Sequence, residues 1–184
     1  MTSAAVTQAL IAWANRQQPP LVLTPEDLGG LLYYAQGWSL ILRQCELFAD
    51  ELVVGTQGPT TATLAAPATA IASLGPDECQ FVEAVAKAYW QIPASELLAR
   101  IRAERPWQLA ITAASLGQPA ELTVDALALA FATMSVPSEL VDWSADDRQR
   151  QADAQRRLAD RPPLDRERLR QRAVRPSAPV ELRS

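Results

Sequence analysis

Proton-transfer catalysis at neutral pH most often relies on histidine, the side chain whose ordinary pKa lies closest to 7. This chain of 184 residues contains none. Ser-His-Asp and Cys-His arrangements are therefore excluded, as is any imidazole metal ligand. The two cysteines, Cys45 and Cys79, show no metal-type spacing or close pairing, so neither a zinc site nor a disulfide scaffold is expected. No P-loop or GxGxxG pattern occurs among the seven glycines. Carboxylates remain: Glu78 with Glu83, and Glu121 with Asp125, have helix-compatible separations, but nothing distinguishes them from surface acids. The expectation is a protein that is not an enzyme and uses no metal or cofactor.

Other residues suit recognition. Thr56, Gln57, Thr60 and Thr61 surround Gly58-Pro59, which reads as a tight turn, and they offer short hydrogen-bonding groups on a loop. Arg100, Arg102 and Arg105 stand close to Trp107, either as a solvated helix face or as an arginine and tryptophan surface for an acidic partner. The uncharged run "LLYYAQGW", residues 31–38, concentrates Tyr33, Tyr34 and Trp38. Burial of one such aromatic contributes on the order of 2–3 kcal/mol, so core packing is a sufficient reason for them. The alternative places Trp38 or one tyrosine at the rim of a partner groove. The candidate partner-binding residues are Trp38, Thr56, Gln57, Thr60, Arg102 and Trp107.

These residues need elements to hold them. Val6, Leu10, Trp13 and Ala14 have helical spacing, predicting a helix over 4–17 that "QQPP" stops. Thr24, Pro25 and Asp27 form an N-terminal cap signature for a helix over about 25–45. No charge intervenes between Asp27 and Arg43, and a helix apolar nearly all round belongs in the middle of a domain. The segment 47–64 changes character: Leu52-Val53-Val54, two glycines, a proline and alternating threonines predict a short β-hairpin or extended excursion. The alanine-rich run after Leu64 could instead turn helical. Pro76, Pro93 and Pro106 each open a further helix, and Thr123 caps a last one running to Met134. The fold class is mainly all-α: a compact helical domain over 1–143 with a polar C-terminal tail over 144–184.

Charge divides the chain in the same place. Residues 145–184 carry eleven arginines against seven acids, a net +4, while residues 1–144 carry six basic and fourteen acidic residues, a net −8. An acidic body argues against a nucleic-acid footprint, and the interspersed acids of the tail suit a solvated polar segment better than a nucleic-acid arm. Ser144 with Asp147 resembles a capping box for a polar helix through Ala159. "MTSAAVTQAL" lacks the basic start of a signal peptide, and the uncharged stretch 28–42 is too short to span a bilayer. A cytoplasmic protein without membrane contact is expected.

The stretch "LTPEDLGGLLYYAQGW" resembles the opening signature of the Panacea domain, the SocA-like family of prokaryotic antitoxins, whose members typically read L-T-P-x-K-L-Q-K-L-L-Y-Y-A-Q-G-W. "LFADELVVGTQGPT" is similar to the family's spacing from Leu-Phe to Gly-Pro. Tyr89, Glu96-Leu97 and Pro106-Trp107 resemble its later tyrosine, Glu-Leu and Pro-Trp pairs, and "LTVDALALAF" its closing helix. The resemblance covers about residues 4–134. There are departures: Glu26 and Gly30 stand around the usual lysines, Gly55, Thr56 and Gln57 replace Trp-Lys-(His or Tyr), and Arg100, Ile101 and Arg102 replace Leu-Thr-His. The resemblance implies an interaction protein that neutralises a protein partner such as a toxin by direct binding, in the founding type as an adaptor that delivers the toxin to a AAA+ protease. A divergent assembly component of a larger complex is the other reading.

Overall fold

The uncharged run after Asp27 does become the central helix. In the computed structural model, which describes residues 1–62, 64, 74–141 and 143, α2 spans Pro25–Trp38 and every residue from Leu28 to Trp38 is buried. Its start follows from the local sequence. The Asp27 amide donates to the Thr24 hydroxyl at 3.2 Å, and the Asp27 carboxylate accepts from the Thr24 amide at 2.8 Å, with Pro25 in the first turn. Two otherwise unpaired backbone donors are thereby satisfied.

Around α2 stand α1 (Ser3–Asn15), α3 (Pro76–Tyr89), α4 (Ala94–Ala103), α5 (Arg105–Ser115), α6 (Val124–Phe131) and a short α7 (Ser138–Val141). α2 packs directly on α1, α3, α4 and α6, while α5 packs on α4 and α6 and α7 lies on α3. The expected caps are present. The Thr123 hydroxyl accepts from the Ala126 amide, and Glu78 accepts from the Gly75 amide at 2.7 Å ahead of Pro76. The core joins Val6, Leu10 and Trp13 of α1 with the whole buried length of α2, Phe81 and Val85 of α3, Leu97 and Ile101 of α4, and Leu127 and Phe131 of α6.

The hairpin sits where the excursion was expected. β1 (Val53–Gly55) pairs antiparallel with β2 (Gly58–Thr60), and the turn is made by Thr56 and Gln57. Gly58-Pro59 is therefore the start of a strand and not the turn itself, a correction to the sequence reading. Gly58 takes a φ of +127°, a conformation that suits glycine. On the other edge of β1, Val54 donates to Ala120 at 2.9 Å and Leu122 donates to Leu52 at 2.7 Å, so segment 120–122 extends the small sheet.

The expected helix over 25–45 is not α-helical throughout. After Trp38 it widens into a π-helical turn, Ser39–Arg43, and stops at Gln44, whose φ of 58° is left-handed. The wider turn leaves Ser39, Ile41 and Leu42 buried and Leu40 half-buried. The helix capped by Thr123, expected to be the last and to reach Met134, ends at Phe131, and the short α7 follows it. The alanine-rich run 65–73 and the polar helix expected over 144–159, with the tail beyond it, lie outside the described residues.

Candidate functional site

Each polar or aromatic residue of 33–38 has a defined partner. Gln36 is buried, and its amide makes three hydrogen bonds: Oε1 accepts from the backbone of Leu47 and Phe48 at 3.0 and 3.2 Å, and Nε2 donates to the Phe48 carbonyl at 3.2 Å. A buried amide bonded in this way fixes the chain that leaves the π turn. The Trp38 indole donates to the Tyr89 hydroxyl at 2.7 Å and meets Phe131 edge-on. Tyr89 stacks on Tyr34, with ring centroids 4.0 Å apart and planes at 16°. Tyr33 donates to Oε2 of Glu104 at 2.5 Å, and Tyr34 donates to Oε1 at 3.0 Å.

Glu104 holds this cluster from the far side. It is the single residue between α4 and α5, ending one helix and starting the next with an extended ψ of 149°. Burial pushes its carboxyl above the usual carboxylate range, opposed by the two phenol hydrogen bonds. Burial, reinforced by the Glu104 charge, holds both Tyr33 and Tyr34 far above the ordinary phenol value. Tyr89 is pushed up to about 12 by burial, against the indole hydrogen bond, which favours the phenolate. All three hydroxyls therefore stay protonated at neutral pH, those of Tyr33 and Tyr34 donating to Glu104 and that of Tyr89 accepting from Trp38. The cluster clamps α2 and α3 to the α4–α5 junction.

The residues read from the sequence as partner contacts fall into two groups. Thr56 and Gln57 are exposed at the hairpin tip, and Arg102 is exposed on α4. A Cβ at Gly58 would lie 3.2 Å from Leu98, one helical turn before Arg102, so the tip and Arg102 neighbour the same helix. Thr60 is half-buried beside Thr61, whose hydroxyl lies 2.9 Å from that of Ser3. Trp38 is 1% exposed and cannot be a rim residue: its ring is enclosed and its N–H is used. Trp107 is also buried, with the Arg102 guanidinium over its ring at 6.0 Å, so the arginine covers the tryptophan instead of extending a tryptophan surface. Arg100 pairs with Glu96 of its own helix at 2.7 Å.

Sequence reasoning passed over two things. One is Glu104, whose tyrosine partners are 70 and 71 residues away. The other is the surface of α5 and α6, where Leu109, Ile111, Leu116, Val124 and Leu129 are all exposed. Its signal was present: no charged residue occurs between Arg105 and Glu121. Against α5 lies a groove of about 430 Å³, walled by Pro106, Leu109, Ala110 and Ala113 on the helix and by Pro119 and Glu121 on the segment leading to α6. Among the described residues no group of three acidic or cysteine side chains is placed to hold a metal, and no helix is long and apolar enough to cross a membrane. No family model, curated protein or solved structure matches the chain.

Proposed function

We propose that this chain is a non-enzymatic, cytoplasmic protein-interaction module that acts as a SocA-like antitoxin or adaptor, neutralising a partner protein by direct binding. The observation that carries the reading is the concentration of exposed large apolar residues on one helix pair, Leu109, Ile111 and Leu116 with Val124 and Leu129. Large apolar side chains gathered on the surface of a folded body are costly to leave in water and mark candidate sites of association. The resemblance of residues 23–38 to the Panacea signature supports the same direction, and the packed aromatic cluster behind that signature suits a rigid docking body.

Co-expression with the protein encoded next to this chain tests the proposal. The neighbour should arrest growth alone and be tolerated when this chain is present. A harmless neighbour, or toxicity that persists, refutes the antitoxin reading.

One observation favours the second reading, a divergent assembly component. Gly30 stands near a lysine of the resembled signature, and a Cβ there would lie 2.6 Å from the Leu97 side chain. Close packing of α4 on α2 occupies that place, where a long polar side chain would not fit without a shift. Stable co-purification in a larger complex without any toxic member would favour this reading over the first.

A further inference from the structure

We infer that the groove between α5 and segment 118–123 receives an amphipathic helix from another protein, one that carries arginine or lysine beside its apolar stripe. The inference rests on reading the chain as a protein-binding module and adds the place and the chemistry of the partner.

The apolar half of the argument lies on α5. Leu109, Ala113 and Leu116 follow one another at steps of four and three residues, so they share a face. Leu109 is 49% exposed and Leu116 73% exposed, with the small Ala113 between them at the groove wall. A large-small-large row is the surface into which the ridge of a second helix packs. Amphipathic helices seat on such grooves through residues at i, i+3, i+4 and i+7.

Charge selects the occupant. From Pro106 to Asp147 the sequence has no lysine or arginine, while Glu121 and Asp125 stand at the groove and at the first turn of α6. Glu121 lines the groove directly, and among the described residues neither acid has an ion-pair partner. A basic flank on the incoming helix complements them. A second copy of this chain fits poorly, because a two-fold contact through this face would set its carboxylates against one another with no cation between them. The chain's own tail fits poorly too: its large apolar residues over 144–184, Leu158, Leu164, Leu169, Val174, Val180 and Leu182, include no two at a separation of three, four or seven, so they make no i, i+3, i+4, i+7 stripe.

The test uses the full chain and two synthetic helical peptides with leucines at i, i+3, i+4 and i+7. One has lysines flanking the leucines and the other has glutamates there, and affinity is read by fluorescence anisotropy at low and high salt. The lysine peptide should bind one to one and about tenfold or more tighter than the glutamate peptide, with the gap narrowing as salt rises. Ala113→Arg, which fills the groove from a half-exposed position, should abolish binding while leaving the unfolding midpoint unchanged. Glu121→Gln with Asp125→Asn should erase the preference between peptides. Equal binding of the two peptides, no binding, or binding that survives Ala113→Arg overturns the inference. So does a concentration-dependent dimer that Ala113→Arg disrupts, or lysine-peptide binding that emerges only on deleting residues 144–184. If the neighbour's toxicity is relieved equally by the Ala113→Arg variant, the groove fails and the antitoxin reading stands. If the lysine peptide binds as expected and toxicity persists, the antitoxin reading fails and the groove stands.

Discussion

Tyr33, Tyr34 and Tyr89 are the only tyrosines of the chain, and all three belong to the cluster closed by Glu104 and Trp38. Tyrosinate absorbance therefore reports on that cluster alone. Each phenol has a folded-state pKa above its unfolded value near 10, so the folded state keeps these protons longer than the unfolded chain does. Their contribution to stability is complete below pH 10 and is lost as pH rises through the raised values, the lowest being about 12 for Tyr89. The expected alkaline titration shows no tyrosinate signal near pH 10. All three hydroxyls then ionise together, in step with loss of the folded circular-dichroism signal. A native-state titration of any one tyrosine with a midpoint near 10 would show that the cluster is open to water. The sequence displayed these tyrosines plainly but gave no hint of Glu104, because a buried carboxylate and its donors are joined by tertiary packing and leave no local pattern.

At the scale of elements, α2 organises the rest because glycines let neighbours approach its backbone. A Cβ at Gly29 would lie 2.2 Å from the Pro59 carbonyl oxygen, and one at Gly37 would lie 2.3 Å from the Phe131 ring. Glycine in a helix costs about 1 kcal/mol relative to alanine, so propensity alone makes Gly29→Ala stabilising. Contact with a backbone carbonyl opposes that gain, and overpacking of this kind costs about 1–3 kcal/mol. Because the strand cannot rotate away as a side chain can, the clash should prevail. Gly29→Ala is expected to lower unfolding stability by about 1–2 kcal/mol in urea. A rise in the midpoint would mean that β2 does not rest on α2.

Much of this element layout was legible. Thr24-Pro25 and Thr123 marked helix starts because caps and prolines act locally, and the lack of charge from Leu28 to Leu42 marked the central helix because burial forbids unpaired charge. The π turn at Ser39–Arg43 was not legible, since its uncharged residues suit an α-helix equally well and the choice follows from what Gln36 fixes at Leu47 and Phe48. Of the candidate contacts, Thr56, Gln57 and Arg102 lie at the surface. Trp38 and Trp107 lie in the core, where an aromatic suited to an interface is equally at home.

At the scale of the molecule, the question is where the folded body ends. Leu140 of α7 is buried, and Trp143 meets Phe81 edge-on at 5.1 Å, with the Arg43 guanidinium 5.5 Å from the same Phe81 ring. These contacts carry the packed core as far as residue 143. Removing 138–184 uncovers the α3 face and takes away two large packed side chains, a loss of about 3 kcal/mol at ordinary burial energies. Removing only 144–184 takes away a segment poor in large apolar residues. It also makes the net charge more negative, from −4 for the full chain to −8 for what remains, a self-repulsion largely screened at 0.15 M salt. Urea unfolding at that ionic strength should place the chain ending at Trp143 within about 0.5 kcal/mol of the full chain, a surface-sized effect. The chain ending at Pro137 should unfold markedly earlier. If the two truncations are equally destabilised, the arginine-rich segment is part of the cooperative fold, and the excess negative charge of the body is balanced within the molecule and not by a partner.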